Sequence, residues 1–354
     1  MKVAVSTGEK RKMVIKEFPI PKVTPGSVLL KVRACSICGS DLEFLDGSYN
    51  FATWGQFAPG VSLGHEFCGE IAQIGEGVEG FSIGERVTIG GSGRVTCGKC
   101  IFCRRGLYNQ CVGGDPRRVI YDIMGGYGGR PDQGRFGALA EYNLRPARTL
   151  QKVPDHMTDG EAALVEPFAT GVGGADAAGV RPGDSVVIIG CGKIGLGAML
   201  ASRVAGATTV IMVDVVDSRL QKAKEMGASA VINPRKSDVV SEVVKLTESG
   251  PDAVIVCVRD GAVLEDSVEM VRRGGIIVLV GFVPKVEMNP GVWVVKQLRF
   301  VGTQGGSVYT SWSLIKNRIV DVRPLITETF PLTEIQAALD SMYSGKNVTA
   351  LVTP

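Results

Sequence analysis

The run Ser185-Val186-Val187-Ile188-Ile189 leads without a break into Gly190-Cys191-Gly192-Lys193-Ile194-Gly195, and few stretches restrict a fold so tightly. An apolar strand followed by G-x-G-x-x-G fits a sharp turn into a helix. Gly190 permits the turn, Gly192 admits a close backbone approach, and Gly195 lets the helix pack on its strand. A pyrophosphate can then sit at the helix N-terminus, beside Lys193 and Ile194, where amides and peptide dipoles favour anions. A second apolar strand ends in Asp214, about 20 residues further on, from where a carboxylate can hold the two ribose hydroxyls. An acid there repels a 2′-phosphate, so NAD is expected over NADP, with Arg219 the nearby cation that softens the choice. The alternative role for Asp214 is to cap the helix starting near Asp217 and Ser218.

The strand-turn-helix rhythm repeats. Residues 185–190, 210–214, 253–258 and 275–281 read as strands, with helical stretches such as 218–226 and 262–273 between them. This alternation predicts an α/β, doubly wound parallel sheet. Up to about Pro154 the pattern is instead one of short alternating strands, such as 27–32, 70–74 and 85–89, broken by Gly- and Pro-rich turns. That half reads as all-β. After about Gly302 the parallel rhythm stops; helices at 311–319 and 333–343 and a strand at 348–352 are expected to rejoin the first domain. The expected division is thus 1–166 with 303–354, and 167–302. A length of 354 residues agrees, because single cores rarely grow that far.

Composition excludes several classes. The 39 basic and 36 acidic residues are interspersed and leave a formal charge of +3, with no basic block for nucleic acid. The longest apolar runs are far below the ~20 residues that span a bilayer. Residues 1–18 alternate apolar and charged positions and lack the apolar core of a signal peptide, so a cytoplasmic protein is expected. Nine cysteines in that setting point to metal sites or buried thiols before disulfides.

Four of them, Cys97, Cys100, Cys103 and Cys111, are spaced C-x2-C-x2-C-x7-C, in a lobe spanning about 93–113. Two-residue spacers let successive sulfurs turn toward one ion, and four thiolates suit tetrahedral Zn²⁺. A closed four-sulfur shell is structural, with no position left for substrate. An iron-sulfur cluster is the rival that spacing alone leaves open. Cys35, Cys68, Cys191 and Cys257 read as ordinary buried thiols.

Three further fragments carry chemistry: Cys38-Gly39-Ser40-Asp41, Gly64-His65-Glu66 and Val165-Glu166-Pro167. A catalytic zinc takes three protein ligands and keeps one position exchangeable, and a thiolate, an imidazole and a carboxylate could supply them. The chain has only two histidines, His65 and His156, which makes the one in Gly-His-Glu conspicuous.

The order of Cys-Gly-Ser-Asp, Gly-His-Glu, four-cysteine lobe, Glu-Pro and Gly-Cys-Gly-Lys-Ile-Gly resembles the zinc-containing medium-chain alcohol dehydrogenases, in particular the sorbitol and threonine dehydrogenase branch. The resemblance covers essentially the whole chain. It implies a GroES-like β-barrel catalytic domain, a Rossmann domain and two zincs per chain, one catalytic and one structural. Cys38, His65 and Glu166 match the catalytic ligands, with Glu66 close to the metal and able to exchange into its shell. Ser40 matches the hydroxyl that passes on the alcohol proton, and Thr170 a residue that touches the nicotinamide. The implied reaction is hydride transfer from a secondary alcohol or polyol to NAD. One departure stands out: where many relatives carry a relay histidine two residues after the aspartate, this chain has Glu43, so proton exit is open between Glu43, the cofactor ribose and water. Asp41 is expected to be structural.

Substrate clues are sparse. Phe44, Tyr49, Phe51, Trp54 and Phe57 could wall a pocket or form a satellite core. Residues 113–136 carry Arg117, Arg118 and Arg130, which could bind an acidic or amino-acid-like alcohol, or simply be solvated. The resemblance also implies a homo-oligomer, a tetramer or dimer, with pairing through the edge of the second domain at 286–300. A zinc-free reductase on the same fold would lack these ligands, and a non-catalytic zinc protein would lack an intact dinucleotide turn.

Overall fold

The computed structural model describes residues 1–48, 58–90, 97–105, 107, 110, 111 and 129–354. The chain divides into two compact units, Met1–Glu166 with Ile326–Pro354, and Pro167–Leu325. Among the described residues, no helix is long and apolar enough to cross a membrane.

The first unit is built on strands. After a hairpin of β1 (Lys2–Ser6) and β2 (Met13–Glu17) come β3 (Ser27–Ser36), β4 (Glu66–Ile74), β5 (Arg86–Ile89), β6 (Tyr142–Pro146) and β7 (Leu150–Lys152). The strand β3 alternates as its sequence suggests: Val28, Leu30 and Val32 join the core, while Lys31 and Arg33 stay exposed. Two late strands, β14 (Glu328–Pro331) and β15 (Ala350–Thr353), complete a sheet of order β14-β15-β3-β4-β5-β7, with β6 alongside β3. The helix Ile335–Tyr343 presents Ile335, Ala338, Leu339 and Met342 to the same core as Val28, Phe67, Ile71 and Leu139. That i, i+3, i+4, i+7 stripe is what returns the C-terminal residues to this unit.

The second unit is a six-stranded parallel sheet. Its strands are β8 (Ser185–Ile189), β9 (Thr209–Val213), β10 (Ala230–Ile232), β11 (Ala253–Val256), β12 (Ile276–Leu279) and β13 (Arg299–Gly302), in the order β10-β9-β8-β11-β12-β13. Strand order reverses between β8 and β11, the switch point outside whose carboxyl ends doubly wound sheets bind ligands. Val187, Ile189, Val254, Val256 and Ile277 fill the core, together with Val243, Leu264 and Val268 from the covering helices.

The expected return to the first domain at residue 303 is corrected: the return comes at Ile326. The reason is a close approach that residue types alone do not announce. A Cβ on Gly173, in the helix Val165–Ala178, would overlap the Gly305 carbonyl, and one on Gly306 would overlap the Ala169 carbonyl. Residues 303–306 therefore lie against that helix, and the next helix, Val308–Lys316, stays with the second unit. This helix starts three residues before the expected 311 because Ser307 Oγ accepts from the Thr310 amide at 3.0 Å. Of the thiols expected to be buried, Cys35, Cys68 and Cys191 are, whereas Cys257 is only half-buried.

Candidate active site

Cys38 and His65 lie far apart in sequence, and the pairing of β3 with β4 brings them together. The antiparallel register sets Ser36 opposite Glu66. Cys38 follows two residues after Ser36, and His65 immediately precedes Glu66, so both leave the same end of the ladder. Ligand atoms of Cys38, His65 and Glu66 lie within 4.8 Å of one another. Gly64 makes the approach possible: its φ of +98° and the crowding of a Cβ there against Leu139 N (2.7 Å) and Cys35 Sγ (2.9 Å) exclude a side chain.

A short helix, Gly39–Asp46, begins directly after Cys38 and carries Ser40, Asp41 and Glu43. Asp41 caps it, accepting from the Cys38 amide at 2.9 Å through Oδ2. Its Oδ1 lies 3.7 Å from His65 Nδ1, with both side chains 3% exposed. The separation is longer than a hydrogen bond, so the carboxylate stands beside this imidazole nitrogen as a nearby negative charge. The C-x-x-D spacing, a capping interval, is the sequence signal for the bond between Asp41 and the Cys38 amide.

A thiolate, an imidazole and a carboxylate at this separation fit a zinc ion by donor type and by spacing. Glu166 does not belong to the three-residue group; it stands in the first turn of Val165–Ala178. The short helix Asp159–Ala163 that precedes it is tied to the sheet by Thr88, whose hydroxyl donates to the Ala162 carbonyl at 2.7 Å.

Cys97, Cys100, Cys103 and Cys111 form a second group, again with all sulfurs within 4.8 Å. The Cys100–Cys103 separation is 3.5 Å, and Cys97–Cys103 and Cys100–Cys111 are each 3.9 Å. Zn–S bonds of about 2.3 Å place tetrahedral sulfurs about 3.8 Å apart, whereas a multi-iron cluster spreads its thiolates around a larger body. The spacing therefore fits one ion. Backbone amides of Lys99 and Cys100 pull the Cys97 thiol down to about 6, while burial pushes Cys103 up to about 12.

In the second unit, β8 runs into the glycine turn as its sequence suggests. Gly190 has a φ of +103°, and a Cβ there would meet Val258 Cγ1 at 2.7 Å. A Cβ on Gly195 would overlap the Gly190 carbonyl, whereas Gly192, which caps the helix Lys193–Val204, faces open space. That opening at a helix N-terminus fits a dinucleotide pyrophosphate. Asp214 follows directly on β9 and accepts from two backbone amides, Cys191 N at 2.7 Å and Val216 N at 2.8 Å. Burial and Asp214 push the Cys191 thiol well above its ordinary range, against a smaller downward pull from Arg219 in the next helix. Thr170 is half-buried in the helix Val165–Ala178.

Other expected clues resolve differently. Phe44 is buried in the core of the first unit. Arg130 is paired with Asp132 at 2.9 Å. Tyr49, Phe51, Trp54, Phe57, Arg117 and Arg118 lie outside the described residues.

The fold and the two donor groups define a zinc-binding dehydrogenase with a nicotinamide cofactor. Residues 24–155 match the alcohol dehydrogenase GroES-like domain, and residues 194–319 match the zinc-binding dehydrogenase family. Sorbitol dehydrogenase of Bacillus subtilis is 32% identical over 98% of this chain and 95% of its own length. L-threonine 3-dehydrogenase of Legionella pneumophila is 31% identical over 98% of each. A solved structure described as a zinc-binding dehydrogenase from Sinorhizobium meliloti, bound to NADP, superposes with a TM-score of 0.86 at 30% identity, covering 100% of this chain and 99% of that one. The chain belongs to the zinc-type medium-chain alcohol dehydrogenase family.

Proposed function

We propose that this dehydrogenase oxidises a neutral secondary alcohol or polyol to a ketone, reversibly, with NAD as hydride acceptor. The observation that carries this reading is the convergence of Cys38, His65 and Glu66 at the end of the β3–β4 ladder. Zinc at this site supplies Lewis acidity, which makes an alcohol hydroxyl acidic near neutral pH. Cys38 and His65 hold the ion, with Glu166 or Glu66 as the carboxylate ligand, and Asp41 stands beside the imidazole as a nearby negative charge. Ser40 accepts the alcohol proton. Glu43, three residues on in the same helix, gives that proton a route toward solvent. The glycine turn holds the pyrophosphate, Asp214 the ribose, and Thr170 contacts the nicotinamide. The carboxylate of Asp214 favours NAD, although the Sinorhizobium protein binds NADP. Cys97, Cys100, Cys103 and Cys111 hold a second, structural zinc. We further propose a cytoplasmic homo-oligomer, a tetramer or dimer.

Metal analysis and an NADH assay test this together. Two zincs per chain are expected, with NADH formed from neutral polyols or secondary alcohols and slower turnover of acidic or amino-acid-like ones. One zinc per chain and no NADH formation across the panel would overturn the reading.

A further inference from the structure

The carboxylate of Asp214 is engaged on both oxygens. Oδ2 accepts from the Cys191 amide and Oδ1 from the Val216 amide. The residue before Cys191 is tied to the same place, since the Gly190 amide donates to the Val213 carbonyl at 2.7 Å. Two successive amides of the glycine turn are therefore anchored to the end of β9, one by a main-chain acceptor and one by a side chain. Cys191 is fully buried. Without Asp214 its amide would lose a charge-assisted bond.

We infer that Asp214 is a positioning residue for the phosphate-binding turn, in addition to the ribose role proposed above. Its carboxylate fixes the peptide between Gly190 and Cys191, and through it the course of the turn into Gly192 and the Lys193–Val204 helix. The inference rests on the dinucleotide reading given above. It also bears on cofactor choice: replacing Asp214 to admit a 2′-phosphate would loosen the turn that both NAD and NADP require.

The sign of one effect separates this role from contact with ribose alone. A carboxylate beside an anion site repels the anion, so a residue serving only the ribose should, on removal, leave binding of a ribose-free anion unchanged or stronger. A residue that holds the turn should weaken that binding. Inorganic pyrophosphate is such a probe. Its binding to the zinc-loaded wild type, Asp214→Ala and Asp214→Asn can be measured directly by calorimetry, beside NADH and NADPH titrations. Asp214→Asn keeps the side-chain shape but turns an NH2 toward one of the two amides, and it decides the question if the alanine variant does not fold.

Both variants are expected to lose NADH and pyrophosphate affinity by roughly tenfold or more, with no gain for NADPH. Unchanged or tighter pyrophosphate binding in Asp214→Asn, or a gain in NADPH affinity, would overturn the inference. A wild type that binds pyrophosphate but not NADH would instead remove the cofactor reading, and the pyrophosphate comparison would still judge the turn.

Discussion

Asp41 spans two local structures, with one oxygen on the Cys38 amide and the other 3.7 Å from His65 Nδ1. As a helix cap alone, it should contribute about 1 kcal/mol to stability. As the carboxylate beside a metal-binding imidazole it should matter more to the ion, since such supports change metal affinity about 10- to 100-fold. Asp41→Asn is therefore expected to release one zinc to a chelator faster than wild type, while the four-cysteine zinc is retained and the melting temperature falls little. Release of both zincs at wild-type rates would leave Asp41 a helix cap only. The donor types were legible in the sequence, because Cys38, His65 and Glu66 sit in short, unusual fragments, although Glu166 was expected as the carboxylate ligand and Glu66 only as its exchange partner. Their meeting was not, because it depends on the Ser36–Glu66 register, which no local pattern encodes. The four-cysteine group needed no such register, since its spacing is local.

Asp252 joins three elements of the second unit. It accepts from the Ser185 amide at 2.7 Å and the Ser185 hydroxyl at 3.0 Å, both at the start of β8, and from Arg272 Nε at 2.7 Å, just before β12. Burial raises its carboxyl, but these donors outweigh burial and hold it below the ordinary 3.8. Between the depressed folded value and the ordinary unfolded one, the unfolded chain binds more protons, so stability rises with pH. The contribution is complete above the ordinary value and is lost as pH falls through the folded one. Asp252→Ala is expected to cost about 1–3 kcal/mol at neutral pH. That cost should shrink toward zero below the ordinary carboxylate range, as read from urea midpoints at the two pH values; an equal loss at both would show that packing, not charge, is responsible. At this scale β8, β9, β11 and β12 were legible as apolar runs, whereas the short β10 and the edge strand β13 were not. The boundary near 303 was not, because the Gly173, Gly305 and Gly306 approach joins segments distant in sequence.

The whole molecule presents one edge that bears on assembly. The strand β13 closes the parallel sheet on one side and pairs only with β12 among the described residues. The preceding helix, Pro290–Lys296, exposes Val294 at 78% and Val295 at 62%. It is held firmly: Lys296 Nζ donates to the carbonyls of Val268, Glu269 and Val271, at the end of the helix Val263–Met270. Trp293 packs on Phe300 with ring centroids 4.3 Å apart. A rigid element showing valines to water beside an open strand edge invites pairing, and soluble monomers usually blunt such edges with charge. A second copy of the same edge can satisfy both features through a two-fold axis. We therefore predict that Val294→Glu combined with Val295→Glu shifts sedimentation to a smaller species. NADH binding should be retained, because the glycine turn follows β8, which β11 and β12 separate from β13. An unchanged sedimentation profile would mean that this edge does not pair copies of the chain, and loss of NADH binding together with the shift would tie the cofactor site to assembly.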